Sequence, residues 1–159
     1  MQSVAVIPLD AADPAVAAAV VRIQRRAYAI EAVLIGFDGI PPLHETVAEL
    51  QTGGLELLGA LVAGELAGVL GYAWTDGVPG GELDIDRLAI DPDYFRLGLA
   101  SALLTALPPA AAIRVSTGSR NEPALALYRR HGFRPTSTRE IAPGVTVTGL
   151  RRESTAPLA

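Results

Sequence analysis

The stretch of sequence that decides the fold is residues 82–100, which read ELDIDRLAIDPDYFRLGLA. Its first nine residues alternate apolar and polar side chains, and this pattern predicts a β-strand over residues 82–90. The breakers that follow predict a loop, and the apolar run after them predicts a buried helix over residues 97–107. Successive backbone N–H groups at a strand–loop–helix junction point toward one place, so the junction is suited to bind an anion.

The alternation within the strand changes parity once. Leu83 and Ile85 share one face, but the apolar residues resume at Leu88 and Ile90 rather than at Arg87. One extra residue between Ile85 and Leu88 restores the pattern, and a β-bulge supplies such a residue. A regular strand in which the Arg87 side chain reaches out to water is the alternative.

The loop and the start of the helix contain small residues. Gly98 and Ala100 leave room for a pyrophosphate to approach the backbone, and Arg96 adds a positive charge. No lysine follows the glycine and the spacing is not G-x-G-x-x-G, so the loop matches neither a Walker motif nor a dinucleotide-binding motif. Taken alone, these small residues are more typical of ordinary helix packing.

A second motif lies at residues 121–133, which read NEPALALYRRHGF. Asn121 followed by an acid and a proline predicts the start of a helix, and Gly132 predicts its end. Tyr128 lies seven residues after Asn121, on roughly the same helix face. A tyrosine is protonated at neutral pH and can donate a proton, although a core aromatic residue whose hydroxyl reaches water would give the same pattern.

The rest of the chain predicts further short elements. Ala63-Gly64 is a tight turn between two of the strands, and no repeat or long linker divides the chain. We therefore expect a single domain over residues 1–153 and a frayed tail over residues 154–159. The predicted helices are residues 14–28 and 45–52, and the predicted strands are residues 4–8, 55–62, 66–75, 113–116, 133–141 and 145–150.

Composition limits the classes of function. The net charge of −4 argues against a nucleic-acid partner, and no apolar run has the length of a membrane span. The absence of cysteine excludes disulfides, thiolate catalysis and cysteine-ligated zinc. The N-terminus has no basic segment followed by an apolar core, so we expect a cytoplasmic protein.

Together, the two motifs resemble those of the GNAT (GCN5-related N-acetyltransferase) superfamily. Residues 88–104, LAIDPDYFRLGLASALL, are similar to its acetyl-CoA-binding motif. Residues 121–133 are similar to its second motif, N-x-x-A-x-x-L-Y-x-x-x-G-F. One departure is clear, because Phe95 stands where the family has Arg or Gln and Arg96 comes one residue later.

The resemblance implies an α/β (α+β) fold. It is a mixed, mostly antiparallel, twisted sheet of six or seven strands flanked by about four helices, with a β-bulge in the central strand. Two parallel strands, residues 82–90 and 113–116, would splay apart at the bulge. The pantetheine arm of the cofactor would lie in the gap and pair with the backbone of Leu88 and Ile90.

The resemblance also implies an N-acetyltransferase that moves the acetyl group of acetyl-CoA to an amine of a small molecule or peptide by direct attack. No metal, nucleic acid or membrane is expected to take part, and a homodimer remains open. A CoA-binding regulatory domain without catalysis is the alternative function. The implied cofactor-binding residues are Leu88, Ala89, Ile90, Phe95, Arg96, Leu97, Gly98, Leu99, Ala100, Ser101, Asn121, Leu127 and Tyr128.

The resemblance assigns the proton donor to Tyr128, which would protonate the departing thiolate. Asp86, which precedes the bulge, is the first choice for the base, followed by Asp84, while Glu82 lies near the entrance. A solvated acidic strand edge explains each carboxylate equally well. His131 has no second ligand at metal spacing. The polar candidates for binding the acceptor are Tyr28, Glu31, Asp38, His44 and Glu45.

Overall fold

A seven-stranded sheet with helices on both faces forms the protein in the computed structural model, which describes residues 3–154. The strands are β1 (Val4–Leu9), β2 (Glu56–Val62), β3 (Glu65–Trp74), β4 (Glu82–Ile90), β5 (Ala112–Gly118), β6 (Arg134–Ala142) and β7 (Val145–Glu153). The helices are α1 (Pro14–Ile35), α2 (Pro41–His44), α3 (Val47–Thr52), α4 (Leu99–Thr105) and α5 (Glu122–Arg130), and Pro92–Tyr94 form a 3₁₀ turn.

The strands lie in the order β1-β2-β3-β4-β5-β7-β6. Within residues 3–154, β4 and β5 are the one parallel pair and all other neighbours are antiparallel. The predicted fold class is therefore confirmed. Ser154, the first residue of the predicted tail, donates from its N–H to the Ala111 carbonyl, and the rest of that tail lies outside the described residues.

Two apolar layers cover the sheet. On one face α4 and α5 cover a common apolar cluster, in which Leu103 and Phe133 are fully buried. On the other face α1 packs against β3 and β4, where Val20 and Val69 are fully buried. The C-terminal parts of β4 and β5 lie between these layers, so residues of both layers reach the same place.

The central strand carries the predicted bulge. In β3, Gly71 pairs with Arg87 and the next residue, Tyr72, pairs with Ile85. Asp86 is therefore the extra residue of β4. The alternative of a regular strand is excluded.

The bulge explains the parity change in the sequence. Leu83 and Ile85 before it, and Leu88 and Ile90 after it, all pack against the apolar layer of α4 and α5. Arg87 is turned to the opposite face, where its side chain is buried rather than extended to water.

Helix α1 is longer than predicted. The predicted end near Tyr28 is wrong, because the helix continues to Ile35 and ends at Gly36, which has a left-handed φ of 68°. Residues 29–35 contain no breaker, and Ile35 is buried against the end of β5. The extra turns place Glu31 on the inner side of the helix.

The predicted helix over residues 45–52 is two short helices, α2 and α3. Thr46 caps α3 through a capping box with Glu49, so Glu45 falls in the link between the two helices. The predicted helix over residues 97–107 is also shorter, and α4 begins only at Leu99. Arg96 and Gly98 both have positive φ angles, 67° and 74°, and prevent an earlier start.

Candidate active site

Strands β4 and β5 run side by side for only part of their length. Their parallel pairing covers residues 82–85 and 112–115 and then stops, although β4 continues to Ile90 and β5 to Gly118. A gap therefore opens between the strands directly after the bulge. A cavity of about 560 Å³ lies at this gap, with walls from α1, α5, the loop after α1, the start of α2 and the facing parts of β4, β5, β6 and β7.

One side chain of α1 meets the open edge of β4. The Tyr28 hydroxyl accepts a hydrogen bond from the Leu88 N–H at 3.1 Å and lies 3.4 Å from the Leu88 carbonyl, to which it donates. The polar backbone groups of Leu88 thus face the gap. Those of Ile90 face the same way, because residues two apart along a strand share an edge.

Tyr128 reaches the gap from α5 on the other face of the sheet. Its ring is buried and packs edge-on against Phe133, with ring centroids 5.5 Å apart. Its hydroxyl makes no hydrogen bond within residues 3–154 and borders the cavity. Burial raises the pKa of the Tyr128 phenol, and the nearby Tyr28 and Glu31 raise it further, so the hydroxyl stays protonated.

Glu31 lies on the cavity wall one helical turn after Tyr28. Its carboxylate accepts a hydrogen bond from the Thr117 hydroxyl at 3.2 Å, and the Asn121 side-chain amide donates to that hydroxyl at 3.3 Å. Asn121 also caps α5 by accepting from the Ala124 N–H, as its position in the sequence predicts. A short chain of polar groups therefore joins α1, β5 and α5 across the gap.

The two predicted base candidates of β4 have different surroundings. Asp86 lies on the cavity wall, and its carboxylate accepts from the Arg87 Nε at 2.9 Å. Asp84 does not line the cavity and lies opposite Arg114 in the paired part of the sheet. Burial raises the pKa of Asp84, and Arg114 opposes this shift. Glu82 pairs with Arg114 and Arg151.

Arg87 holds a buried ion pair under the cavity floor. Its guanidinium pairs with the Glu45 carboxylate and donates to the Gln24 side-chain oxygen at 2.9 Å. Glu45, a predicted acceptor-binding residue, is thus engaged with Arg87 and does not line the cavity. The pair fixes the link between α2 and α3 to the bulge.

The other predicted acceptor-binding residues divide into two groups. Tyr28 and Glu31 are on the cavity wall. His44 and Asp38 are exposed, lie away from the wall, and contact each other through the His44 Nε2 and the Asp38 carbonyl at 2.6 Å.

The loop after β4 is anchored by a buried carboxylate. Asp91 is 2% exposed, pairs with Arg26 of α1, and accepts from the Asp93 N–H at 2.9 Å. Beyond this anchor, Phe95, Arg96, Leu97 and Gly98 are exposed, and α4 begins with free N–H groups. No atom lies within 4 Å of a Cβ built on Gly98, so the approach to the helix start is open.

The remaining predicted cofactor-binding residues do not line the cavity. Ser101 of α4 contacts the His131 Nε2 at 2.9 Å and so ties α4 to the end of α5. Leu99 and Ala89 are buried, while Leu127 packs at the rim of the core. Burial lowers the pKa of His131, and Arg152 and Arg130 lower it further.

The open polar groups of the gap and of the loop are chemically compatible with acetyl-CoA. The open edge at Leu88 and Ile90 offers N–H donors and carbonyl acceptors to an amide-containing arm. The exposed turn at Arg96 and Gly98 offers main-chain donors and one cation to a diphosphate. The cavity leaves further space beside Tyr128.

Comparisons with known proteins agree with this architecture. The family profile of the acetyltransferase (GNAT) domain matches residues 56–135, about half of the chain. The protein belongs to the GNAT acetyltransferase family. A curated relative, the UPF0157 protein YqkA of Bacillus subtilis (strain 168), is 35% identical over 137 residues. The match covers 84% of this chain and 39% of that relative's length.

Solved structures show the same fold. The ribosomal-protein-S18-alanine N-acetyltransferase of Escherichia coli aligns with a TM-score of 0.75 and 20% identity, covering 98% of this chain and 97% of its own. The structure of the yncA protein of Salmonella typhimurium contains its cofactor acetyl-CoA. It aligns with a TM-score of 0.71 and 15% identity. That alignment covers 99% of each chain.

Sequence reasoning missed Thr117 and Gln24. Thr117 continues the buried face that begins with Ile113 and Val115 in β5, and a polar residue on such a face is a detectable signal. Gln24 is likewise fully buried on the apolar face of α1, four residues after Val20.

Two further structural features concern residues 3–154. None of their helices combines the length and apolar character needed to cross a bilayer. Their His, Asp and Glu side chains form no cluster of three or more placed to hold a metal ion.

Proposed function

We propose that this chain is an acetyl-CoA-dependent N-acetyltransferase whose reaction takes place in the gap between β4 and β5. The observation that carries the proposal is the convergence of Tyr28, Glu31 and Tyr128, from two helices on opposite faces, at the point where the sheet opens. Family membership and the acetyl-CoA named for the Salmonella structure support it.

The residues that would hold acetyl-CoA are those whose backbone polar groups face the gap or the exposed turn before α4. The backbone of Leu88 and Ile90 would pair with the pantetheine arm. The turn from Phe95 to Gly98 and the first turn of α4 would bind the diphosphate. Arg96 supplies the charge that the family places one residue earlier.

The proposed reaction needs two proton movements. An amine attacks the thioester carbonyl, a C–N bond forms, the C–S bond breaks, and coenzyme A leaves as a thiolate. The amine must be neutral to attack, and the thiolate gains a proton as it leaves. The protein therefore needs one proton acceptor and one proton donor near the same carbon.

Tyr128 is the proposed donor, because its hydroxyl is protonated, borders the cavity and has no competing partner within the described chain. Glu31 is the proposed proton acceptor. It accepts a single hydroxyl hydrogen bond, pairs with no cation in residues 3–154, and is close enough for its charge to act on Tyr128. Asp86 ranks second, because Arg87 already occupies its carboxylate.

The acceptor class is an amine with an apolar body. Phe37, Ile40 and Ile141 line the outer cavity, while Glu31 and Asp86 supply negative charge for an ammonium group. A small molecule and a peptide N-terminus both meet this description.

A thiol-release assay tests the proposal. The protein is mixed with acetyl-CoA and a panel of small and peptide amines, and free CoA thiol is followed. Release that depends on an amine, together with mass-spectrometric detection of the N-acetyl product, supports the proposal. CoA binding without amine-dependent release from any amine class would instead identify a CoA-binding domain without catalysis.

A further inference from the structure

The double hydrogen bond of Tyr28 is a feature that acetyl transfer itself does not require. The phenolic oxygen accepts a hydrogen bond from the Leu88 N–H at 3.1 Å and donates one to the Leu88 carbonyl at 3.4 Å. In a β-sheet the neighbouring strand normally provides the hydrogen-bond partners of such a pair of backbone groups. Here β5 has separated from β4 three residues earlier, after Ile85.

The backbone N–H and carbonyl of Leu88 need hydrogen-bond partners on this edge in the free protein. The side chain of Leu88 packs into the core, and a buried backbone group without a hydrogen bond destabilises the fold. Tyr28 is buried, and its helix α1 is held to the end of β4 by the Arg26–Asp91 ion pair. The hydroxyl is therefore positioned as a substitute for the missing strand.

The same two backbone groups are those that an amide-containing arm would use. Leu88 has one N–H, and a single N–H cannot serve the Tyr28 oxygen and a second acceptor with good geometry at the same time. Occupation by Tyr28 and occupation by the cofactor are thus mutually exclusive.

We propose that Tyr28 closes the gap at Leu88 in the free protein and gives up these hydrogen bonds when acetyl-CoA binds. Tyr28 is then a positioning residue that exchanges with the cofactor. The inference rests on the proposed function and adds a conformational step to it.

The displaced hydroxyl has a new partner within reach. Glu31 lies three residues further along α1, on the same side of the helix, and its carboxylate can accept another hydrogen bond. Burial raises the pKa of the Tyr28 phenol, and the Glu31 charge raises it further, so the hydroxyl is protonated and can donate to a carboxylate. Cofactor binding would in this way fix the Glu31 carboxylate.

The proposed exchange is tested by whether the affinity for CoA rises or falls when the Tyr28 hydroxyl is removed. CoA is titrated calorimetrically into the wild-type protein, Tyr28→Phe and the control Tyr72→Phe, which removes a tyrosine hydroxyl away from the cavity wall. We expect Tyr28→Phe to bind CoA roughly 5-fold more tightly, because no hydroxyl must be displaced. The affinity of Tyr72→Phe should equal that of the wild type.

An unchanged or weaker affinity of Tyr28→Phe overturns the exchange, because it assigns the hydroxyl a role that persists in the complex. This failure differs from failure of the proposed function, in which the wild-type protein itself would not bind CoA. The melting temperatures of Tyr28→Phe and the wild type, with and without CoA, provide a second test. Free Tyr28→Phe should melt below the wild type, and saturation with CoA should reduce that difference.

A crystal structure of the wild-type protein with CoA gives a test that needs no variant. We expect the distance from the Tyr28 hydroxyl to the Leu88 nitrogen to exceed about 4 Å, beyond hydrogen-bond reach. A complex in which the hydroxyl still bonds to the Leu88 N–H would rule the exchange out, whatever the behaviour of the variants.

Discussion

Glu31 on α1 reaches through the gap in the sheet to Thr117 on β5, whose hydroxyl donates to the Glu31 carboxylate at 3.2 Å. This contact crosses between the two faces of the sheet, which is feasible only because β4 and β5 have separated. It places a carboxylate beside the buried Tyr128. The proposed proton acceptor and the proposed proton donor therefore face the same opening from opposite sides.

The first prediction concerns Glu31→Gln. The variant keeps the shape and the contact with Thr117 but cannot accept a proton, so we expect kcat to fall roughly 100-fold with little change in CoA affinity. The rate of the variant should recover as the pH rises, because a larger share of the amine is then already neutral. Steady-state kinetics from pH 6 to pH 9 measure both effects.

Asp86→Asn is the matched control for Glu31→Gln. Because Arg87 already occupies the Asp86 carboxylate, we expect a loss of less than about 5-fold, smaller than that of a general base. If Asp86→Asn loses the larger part of kcat and Glu31→Gln does not, the base is Asp86.

The second prediction concerns Tyr128→Phe. Removal of the hydroxyl should lower kcat by about 100-fold while the Kd for CoA stays within about twofold, because the donor acts only on the departing thiolate. Burial raises the pKa of Tyr128, so in the folded protein its acid form persists at higher pH than that of an exposed tyrosine. The wild-type rate should therefore show no loss from this group up to about pH 10. Unchanged turnover in Tyr128→Phe would remove the residue from the mechanism.

The sequence predicted those parts of the site that depend on a pattern of neighbouring residues. The bulge at Asp86 is visible as a parity change over nine residues, and Asn121 and Gly132 mark the ends of α5 by their own backbone chemistry. The Arg87–Glu45 pair and the Glu31–Thr117 contact join residues 42 and 86 positions apart. Such contacts depend on how α1 packs on the sheet, which no short pattern specifies.

The third prediction tests the bulge itself. Deletion of Asp86 makes Ile85 and Arg87 consecutive, and these residues already pair with the consecutive residues Tyr72 and Gly71. The shortened strand should therefore keep its register with β3, remain folded and pair further along β5. We expect CoA affinity to fall more than about 10-fold, because the open edge at Leu88 is then covered.

Asp86→Gly is the control for the deletion. It removes the same carboxylate but keeps the extra residue, so CoA affinity should stay within about twofold of the wild type. Circular dichroism establishes that both proteins fold, and calorimetry compares their affinities. Equal binding by the deletion variant and the wild type would show that the bulge does not create the cofactor site.

The fourth prediction concerns stability. Glu45→Ala leaves the Arg87 guanidinium, whose side chain is 6% exposed, without its bidentate partner. Removing this member of the buried pair should lower the free energy of unfolding by about 2 kcal/mol, because Asp86 and Gln24 still contact the guanidinium. Glu153→Ala breaks the exposed pair with Arg151 and should change stability little. Urea unfolding of the two variants measures the contrast, and equal losses would contradict a structural role for the Arg87–Glu45 pair.

The proposed binding surface for coenzyme A is the edge of β4 beyond the bulge together with the turn into α4. A ¹H–¹⁵N NMR titration of the wild-type protein with CoA examines this surface residue by residue. We expect the largest shifts on the amides of Leu88, Ile90, Gly98 and Leu99. Shifts confined to another surface, with these four amides unmoved at saturation, would contradict this proposal.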